Sequence, residues 1–158
     1  MSTRKQNNRA AFSLVELVIV IVIIGIIAAI AVPRISRGSE GAGAAALAAD
    51  LHVLRNALDM YAAEHAGSYP TVTNFVPQMT AYTDASNGMA TAKDTTHIYG
   101  PYIAAVPVLK VGDGKGKDTV AASAAAGVGW VYNELSGQIN ANGGLTAADA
   151  AGKLYKDY

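Results

Sequence analysis

The chain has 158 residues, enough for one domain with a modest core, and 51% of them are apolar. Twelve basic and twelve acidic side chains balance, so neither a global field nor a block of like charge points to nucleic acid. Cysteine is absent, which excludes a disulfide framework, a zinc ribbon, a thiol nucleophile and a thioredoxin-type motif.

The apolar residues concentrate near the start. Arg4, Lys5 and Arg9 precede the run Phe12 to Val32, whose one charged residue is Glu16. As a helix this run reaches about 31 Å, close to the hydrocarbon thickness of a bilayer. The basic flank favours a cytoplasmic N-terminus and a C-terminal part outside, against Arg34 and Arg37 on the far side. Three readings fit such a segment. One is a secretory signal peptide cut after Ala29-Ile30-Ala31. Another is a plain single-pass anchor. Neither accounts for Glu16, since a carboxylate in a spanning helix costs a few kcal/mol and usually has a partner or a task. The third reading supplies that partner. A cut between Ala11 and Phe12 makes Phe12 a cationic N-terminus, with Glu16 four residues on along the same helical face. The helix dipole favours a carboxylate in the first turn. Between chains packed side by side, an ammonium of one and a Glu16 of another attract in low dielectric and set the axial stagger.

The stretch "AFSLVELVIVIVIIGIIAAIAVPR" resembles the prepilin signal of type IV pilins and of the pseudopilins of type II secretion: a basic leader, a small residue, Phe, Ser-Leu-Val-Glu, an apolar run and a proline. The resemblance is specific over Phe12 to Pro33 and loose elsewhere. It implies cleavage between Ala11 and Phe12 by a prepilin peptidase, methylation of the Phe12 amino group, and assembly into a helical filament through Glu16 and Phe12. It further implies lipid around the helix before assembly, and an inner-membrane assembly platform and minor pilins or pseudopilins as partners. The site it implies is the bacterial inner membrane with the C-terminal domain outside the cytoplasm, then a periplasmic or extracellular filament. One residue departs from the pattern, since the family prefers glycine before the cut and this chain has Ala11.

Gly25 and Pro33 cost about 1 and 3 kcal/mol relative to alanine inside a helix, and they read as flexibility sites. The competing readings are close helix approach at the glycine and membrane exit at the proline. Beyond them, Leu47, Leu51, Leu54, Leu58 and Tyr61 recur at spacings of four and three, one stripe of an amphipathic helix. His52, Arg55, Asn56, Asp59 and Glu64 fall off that stripe, and Gly67 is placed as its C-terminal cap before Pro70. Continuity to about Ala66 has to survive glycines at 38, 41 and 43. Residues 67–100 read as a long connection without sustained period. "GPYIAAVPVLKVG" reads as an edge strand interrupted by Pro107. "GWVYNELSGQINAN" is the best hairpin signal, with Trp130 and Tyr132 on one face, a Ser136-Gly137 turn, and a return strand over Gln138 to Ala141. The tail from Leu145 either forms a short helix starting at Thr146 or is loose.

The expected fold is therefore α+β: a long N-terminal helix, membrane-spanning in its first half, packed on a small antiparallel sheet in the manner of a pilin. Its segments are a leader over 1–11, a membrane and filament-core helix over 12–33, an amphipathic half over 34–66 and a globular part over 67–158. Among the filament systems, "GSYP", "GPYI" and "GWVYN" are more similar to a major pseudopilin of type II secretion. The absence of cysteine departs from many pilus pilins, in which a disulfide closes a C-terminal loop. A type IV pilus subunit for adhesion or motility is the alternative, and an exported binding module or enzyme behind an ordinary signal peptide stands further off.

No catalytic site is expected. His52, His65 and His97 have no metal spacing, and neither H-E-x-x-H nor G-x-S-x-G occurs. "VGDGKGKDT" lacks the first glycine of a phosphate loop and has Asp118 where Ser or Thr is required. No cofactor is expected. Calcium, which a major pseudopilin usually holds in its C-terminal loops, would draw on Asp113, Asp118, Asn140, Asn142 and Asp149, but the family's aspartate-rich motif is not recognisable.

Overall fold

The computed structural model describes residues 13–144, 146–149 and 151–158, with backbone alone over 32–38. The chain divides into two compact units, Met1–Gly38 and Ser39–Tyr158. Helix α1, Leu14–Glu64, supplies residues to both.

In the first unit, Leu14–Ala31 is a helical run whose residues bury nothing. Its β-branched residues, poor helix formers in water, are held helical by hydrogen bonds that the backbone can make only within itself when no water is near.

The second unit is α+β and closes its own core. The stripe read from the sequence is its spine: Leu47, Leu51, Leu54, Leu58 and Tyr61 are each at most 1% exposed. They pack with Phe75, Met79, Leu109, Trp130, Tyr132, Ile139 and Tyr155. Burying side chains of this size contributes about 1.5–3 kcal/mol each before chain entropy is subtracted. Gly43 permits a close approach here, because a Cβ would lie 2.6 Å from Val111 Cγ1.

The end of α1 differs from the expected glycine cap. The Gly67 N–H donates to the Ala62 carbonyl at 2.8 Å, the long bond of a Schellman motif. In that motif the left-handed position falls on Ala66, with φ 54°, and Gly67 follows at φ 83°.

The segment 67–100, read as a connection, contains two elements. Helix α2, Phe75–Thr80, buries Phe75 and Met79 one turn apart and accepts Pro77 in its first turn, where the missing N–H has no helical partner anyway. Strands β1 (Tyr82–Thr83) and β2 (Met89–Ala90) form an antiparallel pair closed by the "TDASNG" turn. There the Asp84 carboxylate accepts from the Ser86 and Gly88 amides. Two residues per strand are too few to show a period.

The edge strand expected around Pro107 is not formed. Tyr102 and Ile103 both donate to the Met79 carbonyl, Leu109 donates to Lys117, and the Trp130 indole takes the Pro107 carbonyl at 2.8 Å. With Pro101 and Pro107 lacking an N–H, the segment spends its backbone groups on loops and side chains.

The main sheet has order β3-β4-β5, with β3 at Val120–Ala121, β4 at Trp130–Asn133 and β5 at Gln138–Ala141. The β4–β5 hairpin is antiparallel in the register Trp130↔Ala141 and Tyr132↔Ile139. Trp130 and Tyr132 face the core as alternation requires. The β3–β4 pair is parallel, so the sheet is mixed where an antiparallel one was expected. That parallel pair depends on Gly129 and Trp130 both donating to the Thr119 carbonyl. A side chain at residue 129 would collide with the Lys117 carbonyl.

No helix begins at Thr146, and the described part of the tail is not loose. Ala148 bridges Leu154, a 3-10 turn spans Tyr155–Asp157, and Tyr155 is buried. Asp149 organises this segment by accepting from the Ala151 and Lys153 amides and from the Tyr158 hydroxyl. The hydroxyl and the Lys153 amide hold its carboxyl below the usual carboxylate range.

Candidate functional site

Helix α1 begins at Leu14, so Ser13 is its N-cap and Glu16 its third residue. The Ser13 amide donates to Glu16 Oε2 at 2.9 Å, and the Leu17 amide donates to the Ser13 carbonyl at 3.2 Å. This is the side-chain-to-cap half of a capping box, and Ser13-Leu14-Val15-Glu16 has its S-x-x-E spelling. The geometry answers part of the cost of a carboxylate in an apolar helix. Four amides at a helix start lack helical partners, and the dipole there favours a negative group by about 0.3–1 kcal/mol. Glu16 satisfies one such amide and stands in the favourable field. Only Oε2 takes the amide, and an ionised carboxylate has further lone pairs on its second oxygen.

From Leu14 to Ala31 the helix is long and apolar enough to cross a membrane. Ile19, Val20, Ile21 and Val22, which together make one full turn of the helix, are 53%, 50%, 59% and 53% exposed. A helix apolar on every side is stable against lipid or against other apolar helices. Gly25 lies in this run, and a Cβ there would meet nothing within 4 Å, so no contact among the described residues demands glycine. Pro33 also lies within α1. Its missing N–H deprives the Ala29 carbonyl of its helical donor, a local weakness that lipid would not repair.

Ala11 and Phe12, the residues of the expected cut and methylation, lie outside the described residues.

Of the oxygen donors named for calcium, Asp113 and Asn142 line one pocket with Gly144. The Asp113 carboxylate lies against Gly144, where a Cβ would collide with it. Asn142 is buried, its amide nitrogen donating to the Ala125 and Val128 carbonyls. Asn140 Oδ1 accepts from Arg55 at 3.3 Å, and Asp149 holds the tail. Asp118 is exposed in the irregular stretch that precedes β3. Among the described residues no group of three or more His, Asp or Glu side chains is arranged to hold a metal.

The histidines are dispersed. His52 is exposed. His65 is buried at the end of α1, donating through Nδ1 to the Tyr61 carbonyl and stacking on the Tyr61 ring at 3.9 Å. His97 lies 2.9 Å from Asp94 and 3.8 Å from Asp84.

Two roles escaped the reading of the sequence. The N-cap role of Ser13 was written in its spacing to Glu16. Arg55, set aside as an off-stripe polar residue, donates to the Ile139 and Tyr158 carbonyls; nothing local in the sequence marks partners so distant.

Residues 6–32 match the family model for the prokaryotic N-terminal methylation motif, the prepilin-type signal of type IV pilins and pseudopilins. The match covers the leader from residue 6 onward and the apolar run, and stops short of Pro33. No curated protein and no solved structure matches the chain.

Proposed function

We propose that this chain is a structural subunit of a helical filament, and that the filament is the pseudopilus of type II protein secretion. The observation that carries the reading is the methylation motif over residues 6–32, joined to a helix that is apolar all round except for a carboxylate in its first turn. A prepilin peptidase cuts between Ala11 and Phe12, and the new Phe12 amino group is methylated. The subunit waits in the bacterial inner membrane with Ser39–Tyr158 outside the cytoplasm. It then leaves lipid for a core of neighbouring helices, with an assembly platform and minor subunits as partners. In that core the Phe12 ammonium of one copy pairs with Glu16 of another, and Gly25 and Pro33 let the helix adapt. The role is mechanical and calls for no catalytic group or cofactor.

The same motif serves type IV pili. The choice of the pseudopilus rests on the lack of cysteine and on "GSYP", "GPYI" and "GWVYN". Deleting the gene and measuring both secreted protein and surface motility separates the two: loss of secretion with motility intact supports the pseudopilus, and the reverse assigns the chain to a pilus.

The pairing itself is tested by Glu16→Gln. Removing an intramembrane charge lowers the cost of insertion, so cleavage and membrane localisation should persist. Assembly should fail, because losing one member of a buried pair typically costs about 3–5 kcal/mol. Normal filaments from cleaved, inserted Glu16→Gln subunits would sink the pairing.

A further inference from the structure

Glu16 is the one charged side chain between Phe12 and Val32, and its place in the helix is not left to its own rotamers. The Ser13 amide holds Oε2 at 2.9 Å, while the Leu17 amide donates to the Ser13 carbonyl and fixes Ser13 as the cap. A free glutamate has several rotatable bonds and loses conformational freedom when it pairs across an interface. One tied at Oε2 has already lost most of it.

We propose that the backbone amide of Ser13 is the positioning group of the assembly carboxylate: it fixes Oε2 and leaves Oε1 for the cation of a second copy of this chain. The inference rests on the filament reading above and deepens it. The same bond works at two stages. Before assembly it satisfies a carboxylate that would otherwise face lipid without a donor. During assembly it presents an acceptor of fixed direction, and it is not given up, because the two oxygens serve different partners. The serine hydroxyl has no part in this. The donor is main chain, so residue 13 matters through its N–H rather than through its side chain.

That distinction sets the test. Ser13→Ala keeps the amide and Ser13→Pro removes it. In the full chain, with cleavage and membrane insertion confirmed for each variant, Ser13→Ala should assemble within twofold of wild type. Ser13→Pro should yield about tenfold fewer filaments, the factor expected for losing a hydrogen bond to a charged group. Wild-type yield from Ser13→Pro would overturn the proposal. A second measurement covers the case in which Ser13→Pro is not cleaved: wild-type subunits labelled with ¹⁵N at Ser13 and ¹³C at the Glu16 carboxyl, in phosphatidylethanolamine and phosphatidylglycerol vesicles and again in filaments. Strong dipolar coupling between the labels in both states supports the positioning role, and its absence in either overturns it. Glu16→Gln separates this inference from the reading beneath it, since glutamine still accepts from the Ser13 amide but carries no charge. Normal Glu16→Gln filaments remove the ion pair altogether, whereas normal Ser13→Pro filaments beside failing Glu16→Gln remove only the positioning role.

Discussion

Arg55 and Tyr158 are 103 residues apart in the chain, yet a guanidinium nitrogen of the first donates to the backbone carbonyl of the second at 3.0 Å. The same nitrogen reaches the Ile139 carbonyl and Asn140 Oδ1. One half-buried arginine on α1 therefore gathers β5 and the tail, as a disulfide would in a chain that had cysteines. The tail is also held from its own side by Asp149 and by Lys153, whose ammonium lies 4.0 Å from the centre of the Tyr158 ring. Arg55→Ala should lower the unfolding free energy by about 1–3 kcal/mol, the range for a hydrogen-bonded charge whose acceptors are left without it. Denaturant unfolding, with hydrogen exchange at Tyr155 as a local probe, checks this; an unchanged midpoint and unchanged protection would remove the clasp from the account.

A chain starting at Ser39 should be a soluble, folded monomer. Ser39–Tyr158 is a compact unit whose buried residues pack with one another, and what it loses is the apolar surface that only lipid or other helices can cover. Gel filtration and near-ultraviolet circular dichroism of the fragment are the checks. Filaments assembled from it would place the assembly surface elsewhere.

Ala66→Gly should stabilise the second unit by roughly 1 kcal/mol, the cost of holding a residue with a Cβ in the left-handed region. Ala66 has φ 54° at the end of α1, a position that glycine takes in most Schellman caps. A midpoint that falls rather than rises would mean that the Ala66 methyl is worth more than the strain.

Stability should decline at both ends of the pH scale for nameable reasons. Burial, and then the charge of Asp84, push the Tyr61 hydroxyl up to about 12. A raised tyrosine favours its neutral form in the folded state, so this contribution is complete below the ordinary value near 10 and is lost as pH rises through about 12. Asp94 is the opposite case. The His97 amide, the His97 ring and the Thr96 amide lower it to about 2. Its contribution is present above the ordinary carboxylate value and disappears as pH falls from about 4 towards 2. Thermal melts against pH should show the acid limb shallower in Asp94→Asn and the alkaline limb shallower in Tyr61→Phe. Curves that superimpose on wild type would assign the titrations elsewhere.

Where the sequence repeats a period over several turns or alternates along a strand, the fold was legible. The leucine stripe of α1 and the β4–β5 hairpin show it, because burial of one face is what writes a period into a chain. Strands β1, β2 and β3 have two residues each and no period to display. The stretch around Pro107 had the composition of a strand, but its hydrogen bonds go to Met79, Lys117 and Trp130, partners that no local rule connects. At the candidate site, Glu16 stood out as a lone charge. Its bond to the Ser13 amide is spelled in the S-x-x-E spacing of residues 13–16.

The central claim is that this chain is processed as a filament subunit, and the mature N-terminus tests it most directly. N-terminal sequencing and mass spectrometry of the protein from its native membrane should find a chain that begins at a methylated Phe12. A chain beginning at Val32 would establish an ordinary signal peptide and remove the filament helix, and an intact Met1 would show that Ala11 blocks the cut.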